Sequence, residues 1–246
     1  FTFMKKIYHH NVFLTGAGFS AESGLATFRG NGGLWNGCKV EDVATKEALA
    51  NNRNKMFDFY NRLRREAAAA EPNAAHLALA ELQKKYPGEV SIITQNLDML
   101  HEKAKSQNVV HIHGQINQFR CLNCNNVQTV QGDVFPDMPC PCCGVRGYIR
   151  PNIVLFGEPL FFQQQVALLL KSADLFVAAG TSGEIYPAAG FAGEAKENGA
   201  LTVALNLTIP KNHLYFRAVV LGKVGDNVPK FAEKLLALAD IARRRL

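Results

Sequence analysis

The sequence has no long hydrophobic run. No stretch approaches the ~18 consecutive apolar residues of a membrane-spanning helix, and the longest, such as residues 173–179, has the length of a strand. No secretory leader is recognisable, because the apolar run at residues 12–14 is shorter than the ~7–15 residues of such a leader and glycines interrupt it. We therefore expect a cytoplasmic protein that does not enter a membrane.

Disordered, collagen-like and disulfide-packed classes are also excluded. Hydrophobic residues make up 48% and charged residues 20% of the 246 residues, which is an ordinary globular composition. The chain is long enough to bury a core without disulfides. The basic surplus is small, with a net charge of +6, and we assign most of it to solvated faces rather than to a nucleic-acid partner.

Four short apolar runs each end in a polar or glycine-rich turn. They occupy residues 12–14, 90–93, 175–179 and 201–205. They do not alternate with polar residues, which favours strands buried on both faces of a parallel sheet, and segments with helical spacing lie between them. The sequence thus predicts an open α/β sheet, in which the four turns meet in one ligand-binding crevice beyond the carboxyl ends of the strands.

A glycine-rich turn follows the first apolar run. Gly16 and Gly18 would let main-chain amides approach a phosphate closely. The spacing departs from the dinucleotide fingerprint, because position 21 is alanine and the next glycine is Gly24; no acidic residue follows a second strand where the ribose contact requires one. The motif fits a nucleotide site and equally a turn that needs glycine only for its geometry.

Two Cys-x-x-Cys pairs indicate a metal site. Cys121 and Cys124 precede Cys140 and Cys143 with fifteen residues between the pairs. Four thiolates at this spacing are typical of a structural zinc ion, which leaves no open coordination position. Cys142 is an alternative fourth ligand, and buried free thiols are the alternative to a metal.

Two histidines stand one residue apart. On an extended segment His111 and His113 point to the same side. An imidazole in a crevice suits proton abstraction at neutral pH. The pair is equally compatible with a metal site, with one base beside a packed neighbour, and with two structural histidines.

Taken in order, these motifs resemble the sirtuins, a family of NAD-dependent protein-lysine deacylases, and more closely their bacterial and mitochondrial-type class III branch. The resemblance runs from about residue 8 to 240. It rests on the two cysteine pairs and on residues 16–24, 27–30, 72–76, 94–98, 113–114, 156–158, 180–182 and 206–207.

The resemblance implies an NAD site along the crevice. The residues that would contact NAD are Gly16, Ala17, Gly18, Ser20, Glu22, Phe28, Arg29, Trp35, Gln95, Asn96, Leu97, Asp98, Gly180, Thr181, Ser182, Asn206, Leu207, Thr208 and Val224. NAD would be consumed rather than used as a hydride carrier. His113 would be the general base, and the products would be nicotinamide, O-acyl-ADP-ribose and free lysine.

The resemblance also implies a site for the acyl-lysine protein or peptide. Val154, Phe156 and Gly157 would pair with the substrate as an added strand. Class III relatives that prefer succinyl or malonyl groups carry Tyr-x-x-Arg over the acyl pocket. Here Tyr60 is present but Leu63 stands three residues later, so Arg64, which shares a helix face with Tyr60, would have to meet the acyl carboxylate. We expect deacetylation, and we expect desuccinylation only if Arg64 takes the place of the arginine that is missing at position 63.

The expected fold is a single α/β catalytic domain over residues 1–246. Its Rossmann-like, doubly wound parallel sheet would comprise residues 8–28, 71–116 and 150–246, with a helical insertion at 29–70 and a small zinc-binding module at 117–149. We expect a monomer.

Two other functions compete with deacylation. Mono-ADP-ribosyl transfer to protein would use the same NAD cleavage with another acceptor. A non-enzymatic zinc ribbon that binds nucleic acid through Arg146 and Arg150 is disfavoured, because the segment lacks interleaved aromatics and a dense basic run.

Overall fold

The computed structural model describes residues 1, 7–27, 34–35 and 37–243, and of residues 34, 35 and 243 only the main chain. The predicted NAD contacts Phe28 and Arg29, and the side chain of Trp35, lie outside the described residues.

Eleven strands are found among the described residues. They are β1 His10–Thr15, β2 Leu34–Trp35, β3 Cys38–Lys39, β4 Glu89–Thr94, β5 Val109–His111, β6 Gly114–Cys121, β7 Val127–Thr129, β8 Ile149–Ile153, β9 Leu175–Ala179, β10 Leu201–Asn206 and β11 Ala218–Leu221.

Nine α-helices lie in the same described ranges. They are α1 Ala17–Ser20, α2 Val40–Val43, α3 Lys46–Asn51, α4 Arg53–Ala69, α5 Ala74–Lys85, α6 Leu100–Lys103, α7 Gln163–Ser172, α8 Phe191–Glu197 and α9 Val224–Arg243. Short 3-10 turns cover Ala21–Ser23, Ala188–Gly190 and His213–Tyr215. None of these helices combines the length and the apolar character needed to cross a bilayer.

Six strands form one fully parallel sheet in the order β11-β10-β9-β1-β4-β5. From β1 the chain builds outward through β4 and β5, then returns to the other side of β1 and continues through β9, β10 and β11. The order therefore reverses between β1 and β9, where a doubly wound sheet opens its ligand crevice. This arrangement confirms the predicted fold class.

Apolar side chains cover both faces of the sheet. In β1, Phe13 packs with α5 and α9 on one face, whereas its neighbours Val12 and Leu14 pack with α7 and α8 on the other. All three are at most 3% exposed. Because successive strand residues point to opposite sides, the unbroken apolar run was a correct sign of burial on both faces.

Two further units pack beside the sheet. Helices α2–α4 enclose an apolar cluster with β6 and β8, and Tyr60 is one of its members. Strands β7, β6 and β8 form a separate three-stranded sheet that carries the cysteine loops. Phe57 of α4 packs against Phe119 and Cys121 of this sheet, so the helical unit and the cysteine-bearing unit share an interface.

Candidate active site

The main chain of the glycine-rich turn after β1 packs directly against the main chain of the turn after β9. The N–H of Gly16 donates to Ala179 O at 3.1 Å, and that of Gly18 to Gly180 O at 2.8 Å. A Cβ on Gly18 would lie 2.8 Å from Gly180 O, and one on Gly180, whose φ is +66°, would lie 2.3 Å from Phe19 N. Glycine is therefore required here by a close approach of two turns.

Side-chain amides join the remaining turns to this pair. Gln95, after β4, donates from Nε2 to Thr181 Oγ1 at 3.0 Å. Asn206, at the end of β10, donates from Nδ2 to Thr181 O at 2.9 Å and to Thr208 O at 3.0 Å. Lys211 N also donates to Ser182 O at 2.9 Å. The structure thus brings the four predicted turns together at one edge of the sheet.

A buried polar chain lies below the crevice. The Asn96 amide donates to Ser20 Oγ at 3.0 Å, and the Ser20 hydroxyl donates to Asp98 Oδ2 at 2.9 Å. The N–H of Leu100 donates to the other carboxylate oxygen of Asp98 at 3.0 Å. Burial raises the pKa of Asp98, against the opposing effect of these two bonds. The chain fixes the three polar side chains relative to one another.

His113 follows β5 and is partly buried. Its Nδ1 lies 3.0 Å from Gln95 O. A carbonyl oxygen only accepts, so Nδ1 carries the proton and the lone pair is on Nε2. Desolvation lowers the pKa of His113, and its bond to Gln95 opposes this. The ring is therefore a neutral base with a defined tautomer at neutral pH.

His111 has a different environment from His113. It is 3% exposed, with Nδ1 3.1 Å from Asn96 O and Nε2 2.8 Å from Glu102 Oε1. Both ring nitrogens thus face oxygen acceptors, and the residue ties β5 to the turn after β4. Of the alternatives that the sequence left open, this geometry favours one base beside a packed neighbour.

Two predicted NAD contacts lie at the start of α9, and a third is on the surface. The Glu22 carboxylate accepts from Gly225 N at 2.9 Å, in the first turn of α9, where negative charge is favoured. Val224 is 4% exposed and packs in the core, whereas Leu207 is 67% exposed. Glu22 therefore links the glycine-rich turn to the last helix.

The predicted acyl-pocket residues separate into two environments. Tyr60 is 1% exposed, and Leu63 packs partly buried against the same apolar cluster. Arg64 is 4% exposed, and its Nε donates to Ile116 O at 2.8 Å. Its NH1 donates to Asn61 Oδ1 and, at 3.3 Å, to Gly132 O. The guanidinium therefore holds α4 to β6 and to the cysteine-bearing unit, and these bonds do not support contact with an acyl carboxylate.

The predicted peptide-binding segment follows β8. The N–H of Val154 donates to His113 O and that of Phe156 to Ala44 O, both at 2.9 Å. Phe156 is 45% exposed, although Leu155 between these residues is buried. Gly157 has a φ of +83°. The segment thus lies directly beside the main chain of the catalytic-base candidate. Leu97 is held nearby, because its carbonyl accepts from Ile116 N at 2.9 Å.

Two buried histidines lie beneath the glycine-rich turn, and no sequence pattern had indicated a role for them. The His76 and His101 rings lie 4.9 Å apart, and each contacts the Phe19 ring, at 4.8 and 5.2 Å between centroids. Burial lowers the pKa of His76 to about 4 and that of His101 well below its usual range. His101 Nε2 also lies 3.0 Å from Thr15 Oγ1, which donates to Thr94 Oγ1. Both histidines are neutral packing partners of the turn.

Four sulfur atoms form a compact group at the end of β6. Cys121 Sγ lies 3.8 Å from Cys143 Sγ and Cys124 Sγ lies 3.7 Å from Cys140 Sγ, and the four lie within 4.8 Å of one another. Tetrahedral zinc with Zn–S bonds of ~2.3 Å needs sulfur separations of ~3.8 Å. Among the described residues, this is the only such group of His, Cys, Asp or Glu. The four cysteines are placed to hold one structural zinc ion, with Cys143 rather than the exposed Cys142 as the fourth ligand.

Comparison with known proteins gives consistent results. The Sir2 family model matches residues 16–187. A Vibrio vulnificus (strain YJ016) protein named NAD-dependent protein deacylase is 44% identical over 232 residues, covering 94% of this chain and 95% of that protein. An Escherichia coli O6:H1 protein of the same name is 46% identical over 225 residues, covering 91% and 82%.

Solved structures agree with the sequence matches. A Sir2 homologue in complex with NAD is 34% identical, with a TM-score of 0.86 and coverage of 94% of this chain and 91% of that one. A complex of Sir2 with a p53 peptide and NAD+ is 29% identical, with a TM-score of 0.77 and 95% coverage of both chains.

Proposed function

This chain belongs to the Sir2 family and is an NAD-dependent protein deacylase, and we propose the following roles for the residues of its crevice. NAD lies across the switch point between β1 and β9, with its phosphates beside Gly16, Ala17 and Gly18. The place of this turn at the carboxyl end of β1 supports this position, because ligands bind where the strand order of a doubly wound sheet reverses.

In this proposal the nicotinamide half and the adenosine half of NAD bind on opposite sides of the glycine-rich turn. We assign the nicotinamide ribose and carboxamide to Asn96 and Asp98, which the Ser20 bridge holds in fixed positions. We assign the adenosine half to Thr181 and Asn206, which are hydrogen-bonded to each other across the ends of β9 and β10.

His113 is the general base of this proposal, and its tautomer is the observation that carries it. The proton on Nδ1 is held by Gln95 O at 3.0 Å, which leaves Nε2 to accept a proton. Bound NAD would supply an electrophilic anomeric carbon for attack by the acyl oxygen of the substrate, with nicotinamide as the leaving group. His113 Nε2 would remove a proton from a ribose hydroxyl, and that oxygen would attack the acyl carbon. Cleavage of the bond to the lysine nitrogen and addition of one water would then give free lysine and O-acyl-ADP-ribose.

The substrate is an acyl-lysine in a protein or peptide. We propose that its main chain runs along Val154, Phe156 and Gly157 and forms an additional strand, a mode that needs little side-chain sequence. The p53 peptide in a related Sir2 complex supports a peptide ligand. The main-chain bond from Val154 to His113 supports this path, because it brings the segment beside the proposed base.

Neutral acyl groups are the preferred substrates in this proposal. The cation that would meet a succinyl or malonyl carboxylate is missing at position 63, where leucine stands. Arg64 is committed to Ile116 O, Asn61 Oδ1 and Gly132 O. An unpaired carboxylate in an apolar pocket is strongly disfavoured, so deacetylation outweighs desuccinylation.

We further propose that a single copy of the chain is the working unit in a reducing, cytoplasmic compartment. Four zinc thiolates need reducing conditions, which supports the cytoplasmic compartment. The zinc-ribbon alternative loses one of its two arginines, because Arg150 is 2% exposed and bonded to Glu158.

The test is a product analysis with and without NAD. The purified chain is incubated with an acetyl-lysine peptide, and the products are identified and quantified by mass spectrometry. Deacylation gives free lysine, nicotinamide and O-acetyl-ADP-ribose in equal amounts, and none of them without NAD. ADP-ribose attached to protein, with the acetyl group retained, would instead indicate mono-ADP-ribosyl transfer.

A further inference from the structure

A buried ion pair spans the segment that follows β8. Arg150 donates from its two terminal nitrogens to the two carboxylate oxygens of Glu158, at 2.7 and 3.0 Å. Arg150 is 2% exposed, and two parallel bonds fix the planes of both side chains. The pair is therefore a rigid link between the start of β8 and residue 158.

Both partners also bind the main chain between them. The guanidinium of Arg150 donates to Ile153 O at 2.8 Å. The N–H of Leu155 donates to Glu158 Oε2 at 2.9 Å, and the N–H of Glu158 donates back to Leu155 O at 2.9 Å. The path of the chain from Ile153 to Leu155 is thus set by the ion pair.

Buried ion pairs contribute little net stability compared with apolar side chains of similar volume, and their best-supported benefit is to select one arrangement. Burial alone would raise the pKa of Glu158, but the bonds from Arg150 and Leu155 hold it below its ordinary value, so the carboxylate is charged. The arrangement selected here has Leu155 buried and Phe156 exposed, and it ends in a turn at Gly157.

We propose that Arg150 and Glu158 are positioning residues for the acyl-lysine peptide. They hold residues 154–156, and the turn at Gly157 that follows them, in the arrangement with which the substrate main chain pairs. The inference rests on the proposed function, because it requires a peptide to bind there. Neither side chain is assigned a contact with NAD or with the reacting atoms.

Arg120 offers a matched control. Its guanidinium lies 3.8 Å from the same Glu158 oxygen. No hydrogen bond from its side chain to residues 153–157 is found in the described part of the chain. Removing Arg120 therefore removes a neighbouring positive charge and leaves the ties to the segment intact.

The experiment compares Glu158→Gln, Arg150→Lys and Arg120→Met in the 246-residue chain loaded with zinc. KM for an acetyl-lysine peptide, KM for NAD, kcat and the melting temperature are measured for each. We expect the KM for peptide to rise about tenfold in the first two variants, with KM for NAD unchanged and with Arg120→Met close to the parent.

Several outcomes overturn the proposal. These are an unchanged KM for peptide in a folded Glu158→Gln or Arg150→Lys variant, an equal rise in both KM values, and failure of both variants to fold, which would make the pair part of the core. Failure of the proposed function itself looks different, because the parent chain would then show no NAD-dependent turnover.

Discussion

The side-chain amide of Asn73 donates to the main-chain oxygen of Phe19 at 2.8 Å and also lies 3.1 Å from Ser23 Oγ. Its carbonyl oxygen accepts from Ala75 N at 3.0 Å, which caps helix α5. One side chain therefore joins the start of α5 to the glycine-rich turn that we assign to NAD.

Replacing Asn73 is expected to weaken NAD binding more than peptide binding. Asn73→Ala removes the cap and leaves Phe19 O without its donor, which together cost about 1–2 kcal/mol of stability. We expect KM for NAD to rise while KM for the peptide stays constant. Asn198→Ala is the control, because the one side-chain hydrogen bond of Asn198 among the described residues goes to Glu194 O of the helix that it ends. Equal effects of the two substitutions on NAD would contradict the assignment.

His113→Ala is expected to lower kcat by about 10²–10⁴-fold, the usual contribution of a positioned base. The melting temperature should hardly change, because the lost ring has one main-chain partner. The pH profile of the parent should lose activity as the imidazole gains a proton, below the ordinary ~6.5, since burial lowers the pKa of His113. The exposed His213, replaced by alanine, is the control. Near-normal turnover of His113→Ala would refute its role.

The free energy of unfolding should decrease as the pH is lowered from about 6.5 to 4, because His76 is buried. The unfolded chain takes up a proton there near pH ~6.5, but the folded chain does so only at a pKa of about 4. The unfolded state is thus favoured as the pH falls through this interval, by about 3 kcal/mol from this residue.

The matched variant is His76→Gln, because glutamine at this position still accepts from the N-cap N–H but does not titrate. Urea unfolding at several pH values should show a flatter dependence for His76→Gln than for the parent. An unchanged slope would show that His76 does not titrate in this way.

The zinc site is tested by two neighbouring cysteines. Cys143→Ala should lose the metal and much of the stability, because three thiolates remain of a tetrahedral set. Cys142→Ala should retain one zinc per chain, because Cys142 is exposed and outside the sulfur group. Metal analysis and melting curves measure both effects. Zinc loss in Cys142→Ala with retention in Cys143→Ala would reverse the assignment.

Acyl selectivity is tested at Leu63 and Arg64. Arg64→Met should leave the ratio of succinyl to acetyl turnover unchanged and cost about 1–3 kcal/mol of stability, since Ile116 O and Gly132 O lose their donor. Leu63→Arg should raise the ratio by supplying the missing cation. Arg62→Met, on the exposed side of α4, is the control. A selective loss of succinyl turnover in Arg64→Met would restore Arg64 to the acyl pocket.

Much of the fold could be predicted because the relevant signals are local. Unbroken apolar runs that end in polar turns indicated the four central parallel strands. The edge strands Val109–His111 and Ala218–Leu221 were not predicted, although residues 218–221 form a similar apolar run before Gly222. The cysteine spacing indicated the zinc site, but only the positions of the sulfur atoms separate Cys143 from Cys142.

The side-chain networks could not be predicted, because their partners are main-chain oxygens far away in sequence. Helical spacing placed Arg64 beside Tyr60, and nothing in the sequence shows that Ile116 O and Gly132 O accept its protons. Asn73 precedes a helix, which signals a cap, but its bond to Phe19 O depends on tertiary packing.

Strand β6 has one further consequence. It begins at Gly114, directly after His113, and ends at Cys121, so its eight residues span roughly 26 Å. A metal at that separation cannot polarise the acyl group or the sugar. Zinc depletion is therefore expected to slow turnover only by loosening the Cys121 end of the strand that begins beside His113. The activity that remains should decline at low pH in the same range as that of the zinc-loaded protein.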